Sequence, residues 1–212
     1  MTFVEWILLA IGASVAIALA GLLAAGVAAS IARRPDRAPV EPLTPAELDE
    51  YFQRRAAFAI TVSARTPLAP DVVFDRLMGR AYLSSLPFLS GPDWIDGHSA
   101  QERGVWSRRT MSGTIYSVTE QVILAKPAET LVLTGTAVCT PATIQSFAER
   151  FDISTVGARG VTEVSWTVAG TPRWVGFLPW RWAAPLVSPV LAFVLRHILR
   201  LGAFRAPRAE TA

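Results

Sequence analysis

Across 212 residues the chain has one cysteine, Cys139, one lysine, Lys126, and two histidines, His98 and His197. The lone thiol excludes an internal disulfide and any metal site built on several cysteines. Cys139 ends an apolar run beside Pro141 with no activating base near it in sequence, which argues against a nucleophile. The histidines are spaced as neither HxH nor HxxxH, so no structural zinc is expected. Charge is scarce as well: charged residues make up 17% of the chain, and net charge is only +3 although the pI is near 9.6. The arginines are scattered. Without a dense basic stripe interleaved with aromatics, a nucleic-acid partner is not expected. There is no internal repeat. Gly157-Ala158-Arg159-Gly160 comes nearest to a phosphate loop but lacks the strand-to-helix setting such loops need. No cofactor is expected.

Apolar side chains are abundant: 51% of the chain is hydrophobic and mean hydropathy is +0.36. Much of the excess lies at the N-terminus. From Trp6 to Ala32 there is no charge, and the run exceeds the ~20 residues needed to cross a bilayer. Residues 4–32 are read as one transmembrane helix, with Trp6 at an interface. Cleavable signal peptides carry a basic stretch ahead of a shorter apolar core; here only Glu5 precedes the run, so it reads as an uncleaved anchor. Arg33, Arg34 and Arg37 follow directly. Positive-inside bias then makes this a single-pass protein of the cell membrane with its C-terminal part in the cytoplasm, in agreement with an unpaired cysteine. Gly12, Ala16, Ala20 and Ala24 recur every four residues, which suits a homodimer through close helix approach or simply an Ala-rich span.

Residues 33–57 read as a Pro-rich linker, stiff and extended from Pro35 to Pro45, and a short helix. Thr44-Pro45-Ala46-Glu47 supplies an N-cap, a first-turn proline and the Glu of a capping box. Leu48, Tyr51 and Phe52 share one face, and this helix is expected at the edge of the following domain as a spacer.

From Phe58 onward the pattern changes to alternation. Phe58–Arg65 reads as a half-buried strand, followed by short helical stretches at Asp71–Met78 and Tyr82–Leu86. Then come a weak strand at Trp94–Asp96 and a meander: Arg103–Met111, Thr114–Ala125, Thr130–Cys139, Ile144–Val156 and Val161–Thr171. The last apolar segment, Trp180–Phe204, is a poor membrane span. Pro185 and Pro189 interrupt its first half, Arg196, His197 and Arg200 crowd its second, and a central Arg costs about 2.5–3.5 kcal/mol in lipid. It reads instead as a long helix, starting at Ala183 or Pro189, whose apolar face covers the sheet. Residues 206–212 are read as a disordered tail.

This order, with its ITVSARTPLAPDVVFDRL opening and its closing helix, resembles the helix-grip fold of the START-like (SRPBCC) superfamily, which includes polyketide cyclase/dehydrase-like proteins, plant pathogenesis-related ligand carriers and lipid-transfer domains. The resemblance covers about residues 58–205. It implies an α+β fold in which a curved antiparallel sheet wraps a long C-terminal helix, with a cavity for an apolar ligand between them. The superfamily has no universal catalytic motif, so the resemblance implies a ligand class better than an activity.

Treating Ser112-Gly113 as a two-residue turn sets a register, with Arg109 facing Tyr116 and Val105 opposite Glu120. Tyr116, Val118, Val122 and Leu124 then face the helix. Leu131, Leu133, Gly135 and Ala137 follow on the next strand, then Phe147, Phe151 and Ile153, then Val164, Trp166 and Val168. Glu120, Gly135 and Glu149 fall in one row, the carboxylates about 10 Å apart across two strand spacings. Arg109 shares their side, and Arg103 is a second candidate to supply positive charge. The cluster either orients a ligand or performs acid/base work; alternatively a one-residue bulge turns either Glu to solvent. His197 shares a helix face with Leu186, Val190, Phe193 and Leu201, as a candidate catalyst or as a satisfied core histidine. Trp174-Val-Gly-Phe-Leu-Pro-Trp-Arg-Trp182 suits a membrane interface or a plug beneath the sheet.

The expected function is a membrane-anchored binding protein for a hydrophobic small molecule or lipid. Arg109, Tyr116, Val118, Glu120, Leu133, Gly135, Phe147, Glu149, Phe151, Trp166, Phe193 and His197 are the candidate ligand contacts. One alternative is a cyclase/dehydratase- or hydrolase-like enzyme using Glu120, Glu149 or His197. Another is a membrane-tethered interaction module.

Overall fold

The computed structural model of the chain describes residues 2–80, 82–86, 88–96, 102–114, 116–139, 144–157, 160–173 and 180–200. His98, residues 174–179 of the Trp-rich stretch, Leu201 and the tail at 206–212 lie outside the described residues.

Helix α1 (Phe3–Ala32) begins at a reciprocal capping box: the Thr2 hydroxyl accepts the Glu5 N–H at 3.4 Å, and the Glu5 carboxylate accepts the Thr2 N–H at 2.7 Å. Its part from Glu5 to Ala32 has a mean hydropathy of 2.5 and is exposed along nearly its whole length, with only its last turn meeting the domain at Ala32; it is long and apolar enough by composition to cross a membrane.

The segment after α1 departs from the expected free tether. It is extended, but it is zipped onto the domain. Strand β1 (Ala38–Pro39) pairs with Val138 and Ala137. The Val40 N–H donates to Thr136 O at 2.9 Å, Glu41 to Gln145 O at 3.0 Å, and Leu43 to the Thr134 hydroxyl at 3.0 Å. Proline's fixed φ and missing N–H suit such an edge position. The helical segment 45–55 opens where Glu47 reaches back to the Thr44 N–H at 3.0 Å. It runs through one α-helical turn, α2 (Leu48–Glu50), into a wider π turn over Tyr51–Arg55. It is not an edge spacer. Leu43, Leu48, Tyr51 and Ala56 form a separate core with Ile123, Val132, Ala148 and Ala169, one residue from each of four neighbouring strands. The Tyr51 hydroxyl fixes it there by donating to Ser146 O at 2.9 Å.

The sheet comprises β2 (Phe58–Thr66), β3 (Leu89–Trp94), β4 (Arg108–Gly113), β5 (Ser117–Lys126), β6 (Thr130–Val138), β7 (Ile144–Val156) and β8 (Val161–Pro172). All its pairings are antiparallel, in the order β2-β8-β7-β6-β5-β4-β3. The weak strand lies earlier than expected, ending at Trp94. Strand β4 starts only at Arg108, because residues 104–107 form a turn in which Trp106 takes a positive φ of 79°. Two bulges interrupt the β5–β6 ladder, at Thr136 and at Ile123. Each flips the side-chain phase beyond it. Leu124 therefore packs on the outer core with Ile123, while Ala125 turns toward the helix side. Beyond the Thr136 bulge, Val138 shares the inner face with Val118, and the phase places Ala137 outward. The inward assignments of Leu124 and Ala137 are thus corrected.

Helix α3 (Pro70–Leu77) starts on a first-turn proline and buries Val73, Phe74 and Leu77. Helix α4 (Ala184–Arg200) follows a 3-10 turn at Trp180–Ala183, and Pro189 lies inside it rather than at its start. Its buried face is Val194, Leu195, Ile198 and Leu199, with Leu191 packed beside them. Leu186 and Phe193 point outward instead, at 79% and 61% exposure, while Val190, 59% exposed, stands at the cavity's rim. The expected face is therefore rotated. Arg76 of α3 donates to Leu199 O at 2.9 Å, satisfying a carbonyl at the negative end of α4. A curled antiparallel sheet gripping a long C-terminal helix is the helix-grip arrangement expected.

Candidate functional site

Between the concave face of the sheet and α4 lies a cavity of about 700 Å³. Its wall is apolar, built from Met111, Tyr116, Val118, Phe147, Phe151, Trp166 and Val168, with Val190, Leu191 and Val194 of α4. Phe151 and Trp166 are cross-strand partners whose rings stack at 5.4 Å and 7°. Among the described residues, the charged ones lining it are Glu120 and Glu149.

The carboxylates meet at Arg109. Arg109 and Glu120 are register partners on β4 and β5, and Arg109 Nε donates to Glu120 Oε2 at 2.8 Å. Arg109 Nη1 donates to Leu77 O at 3.0 Å, tying the sheet to the last turn of α3. Its Nη2 lies 3.9 Å from Glu149 Oε2, and its guanidinium sits 5.9 Å from the Tyr82 and Trp94 ring centres. Arg109 is fully buried and Glu120 is 1% exposed. Arg109 Nη2 and Trp166 Nε1 are buried donors that make no well-formed hydrogen bond among the described residues, although both lie near enough to Glu149 to favour its charged form.

This electrostatic setting divides the groups. Burial and the nearby Glu120 charge push the Glu149 carboxyl up to about 8; Arg109 and the Trp166 indole N–H offset only part of that. Burial pushes the Tyr82 phenol up to about 12. Burial opposes the Arg109 charge, but Tyr82, Glu120 and Glu149 outweigh it and hold its pKa above the ordinary arginine value. A permanently charged guanidinium pairs with Glu120, and beside them stands a carboxyl that keeps its proton near neutrality.

Several register expectations change here. The β4–β5 hairpin closes with the Gly113 N–H donating to Tyr116 O at 2.6 Å, so Arg109 faces Glu120 rather than Tyr116. The shift is even, so every residue keeps its face. Glu120 does lie opposite Gly135, but Glu149 pairs with Leu133 and Val168 and stands outside that row. Gly135 itself is closely covered. The Phe147 ring covers it so closely that an added Cβ would collide with the ring.

Arg103 does not join the cluster. Its Nη1 donates to Met78 O at 2.8 Å, and its guanidinium lies 5.3 Å from the Trp94 ring centre. Leu133 and Gly135 sit in the sheet without lining the cavity. His197 lies apart as well, its Nε2 2.6 Å from the Ser85 hydroxyl and its ring 6.1 Å from exposed Phe193. Cys139 is buried, and its sulfur accepts the Ser117 N–H at 3.2 Å. Sequence reasoning missed Tyr82, Met111, Leu191 and Val194. One signal was available for the helix: setting Arg196 and Arg200 outward puts Leu191, Val194 and Ile198 on the opposite side at 100° per residue. Among the described residues no group of His, Cys, Asp and Glu could hold a metal ion.

No family model and no curated protein matches the chain. Similar solved structures include ginseng major latex-like protein 151 from Panax ginseng, 15% identical with a TM-score of 0.47 over 66% of this chain and 97% of that one. A START superfamily protein from Mycobacterium smegmatis is 13% identical with a TM-score of 0.47 over 66% and 90% of the two chains. An uncharacterised protein from Bacillus thuringiensis is 14% identical with a TM-score of 0.48 over 67% and 96%. The likeness is one of fold alone.

Proposed function

We propose that this chain is a single-pass, membrane-anchored binding protein for a hydrophobic small molecule or lipid, its helix-grip domain on the cytoplasmic side. The observation that carries the reading is the cavity of about 700 Å³, with a mostly apolar wall that Glu120 and Glu149 enter and that Ser90, Ser112 and Thr114 border. Such a volume suits a small-molecule ligand. An apolar body gains from leaving water, and a polar head finds its most deeply buried partners beside the two carboxylates. There the Trp166 N–H offers a donor and Glu149 a carboxyl that is protonated near neutrality. The head is therefore a neutral hydrogen-bonding group; an anionic head would add charge beside buried Glu120 at a desolvation cost.

Native mass spectrometry of the full chain released from detergent tests this. A co-purifying apolar ligand is expected, lost when Phe151→Ala and Trp166→Ala are combined. Protein that is empty from several membrane sources would overturn it.

A second reading, an enzyme of the cyclase/dehydratase kind, draws on one observation. Glu149 and Glu120 are neighbouring carboxylates in different environments, the pattern that assigns acid and base roles. Glu149 would then be the general acid. Glu149→Gln separates the readings: it keeps ligand occupancy under both, but abolishes turnover only under the second.

A further inference from the structure

The end of α1 and the lip of the cavity share one strand. The Ser117 hydroxyl, buried, donates to Ala32 O at 2.6 Å, and the Thr119 hydroxyl donates to Asp36 Oδ1 at 2.6 Å. The intervening and flanking residues Tyr116 and Val118 line the cavity. Alternation along β5 thus gives one face to the cavity and the other to the exit of the apolar helix. Thr114, on the cavity lip, is three residues from Ser117, a span of at most about 11 Å. Its N–H donates to Phe88 O at 3.2 Å, and Phe88, also on the lip, is 73% exposed.

The opposite lip is α4. Val190 lines the cavity yet is 59% exposed, and an apolar stripe runs back from it through Leu186 at 79% to Trp182 at 81%. A soluble domain gains nothing by presenting such a stripe to water. Arg33, Arg34 and Arg37 stand in the connection between α1 and the docked strand, where they complement anionic headgroups. The hydrogen bonds to Ala32 and Asp36 leave little slack, so the domain cannot sit far from the surface that α1 enters.

We infer that the cavity opens against the bilayer crossed by α1, with Phe88 on one lip and the Trp182–Leu186–Val190 stripe on the other entering an anionic lipid surface, so that ligand passes between membrane and cavity without crossing water. This rests on α1 being an anchor and on the cavity being a binding site, as proposed above.

The test places a polarity-sensitive fluorophore on the full chain at Phe88→Cys, Leu186→Cys or Lys126→Cys, in vesicles of phosphatidylcholine and phosphatidylserine carrying doxyl-labelled acyl chains. Lys126 ends β5, about 30 Å from Ser117 along the strand. Buried Cys139 is left in place, and the unsubstituted chain serves as the labelling blank. The expected result is a blue shift and loss of emission at 88 and 186, with neither at 126. Unquenched emission at 88 and 186 would overturn the proposal, as would equal quenching at all three sites or a stripe covered by a second copy of the chain. Lipid found in the cavity by mass spectrometry alongside a water-exposed Phe88→Cys label would sink this orientation while leaving the binding reading intact. Quenched labels around an empty cavity would do the reverse.

Discussion

Arg109 and Glu120 face each other across β4 and β5, joined Nε to Oε2 at 2.8 Å, with side-chain exposures of 0% and 1%. A buried pair of this kind is a weak source of net stability, because each ion gives up its hydration to form it. Removing one partner is another matter. Glu120→Gln or Arg109→Met should each destabilise the domain by about 3–5 kcal/mol, since each strands a buried charge. The double variant Arg109→Met with Glu120→Leu should recover much of the loss. Thermal unfolding of the full chain in detergent, read as a double-mutant cycle, checks this; additive losses would show that the pair is uncoupled.

Glu149 makes stability depend on pH. Its folded pKa of about 8 stands above the ordinary carboxylate value of 4.5. Between those values the folded state keeps a proton that the unfolded state releases, so stability is greatest below the lower value and falls as pH rises toward the upper one. Above about 8 this contribution is flat. Glu149→Gln should flatten the decline in melting temperature across that window and raise it most at the alkaline end.

Gly135→Ala should push the Phe147 ring off its seat, because an added Cβ collides with that ring. Overpacking of this kind costs roughly 1–3 kcal/mol. The displaced ring has the cavity to move into, so occupancy by any co-purified ligand should fall together with the melting temperature. Phe147→Leu in the same chain should restore stability more than occupancy.

Ser117→Ala leaves Ala32 O without its 2.6 Å donor, and Asp36→Ala frees the Thr119 hydroxyl. Each loss is worth about 1 kcal/mol locally, too little to unfold the domain. Together they should loosen the junction enough to accelerate tryptic cleavage after Arg33, Arg34 and Arg37. Limited proteolysis in nanodiscs reads this directly, and an unchanged cleavage rate would show that the docking adds no protection.

Much of this molecule is legible from local pattern. An uncharged run from Trp6 to Ala32 demands a long helix, alternation from Phe58 onward demands strands, and the prolines and arginines after Trp180 point to a helix packed on the sheet rather than a membrane span. The inward side of Arg109, Glu120 and Glu149 follows from parity, because a hairpin misjudged by four residues moves no side chain to the other face. Parity fails only at an odd step, which is what the bulges at Thr136 and Ile123 introduce; no residue type there announces one. Strand β6 did carry an unread signal. Thr130–Val138 is buried along nearly its whole length, the mark of a strand covered on both faces, and the second cover is the 45–55 segment taken for a spacer.

What tertiary structure alone decided is where surfaces meet. Helix α4 is apolar around much of its first half, so several rotations satisfy its sequence, and only contact with the sheet selects Leu191, Val194 and Ile198. The segment after Ala32 has the composition of a tether, and only the backbone carbonyls of Thr136 and Gln145 and the Thr134 hydroxyl turn it into part of the sheet. Glu149 is an ordinary carboxylate in the sequence; burial beside Glu120, reached through two separate strand pairings, is what holds its proton. Sequence determines what each short stretch prefers within a few residues, whereas packing chooses among preferences of nearly equal energy by the partners it brings within reach.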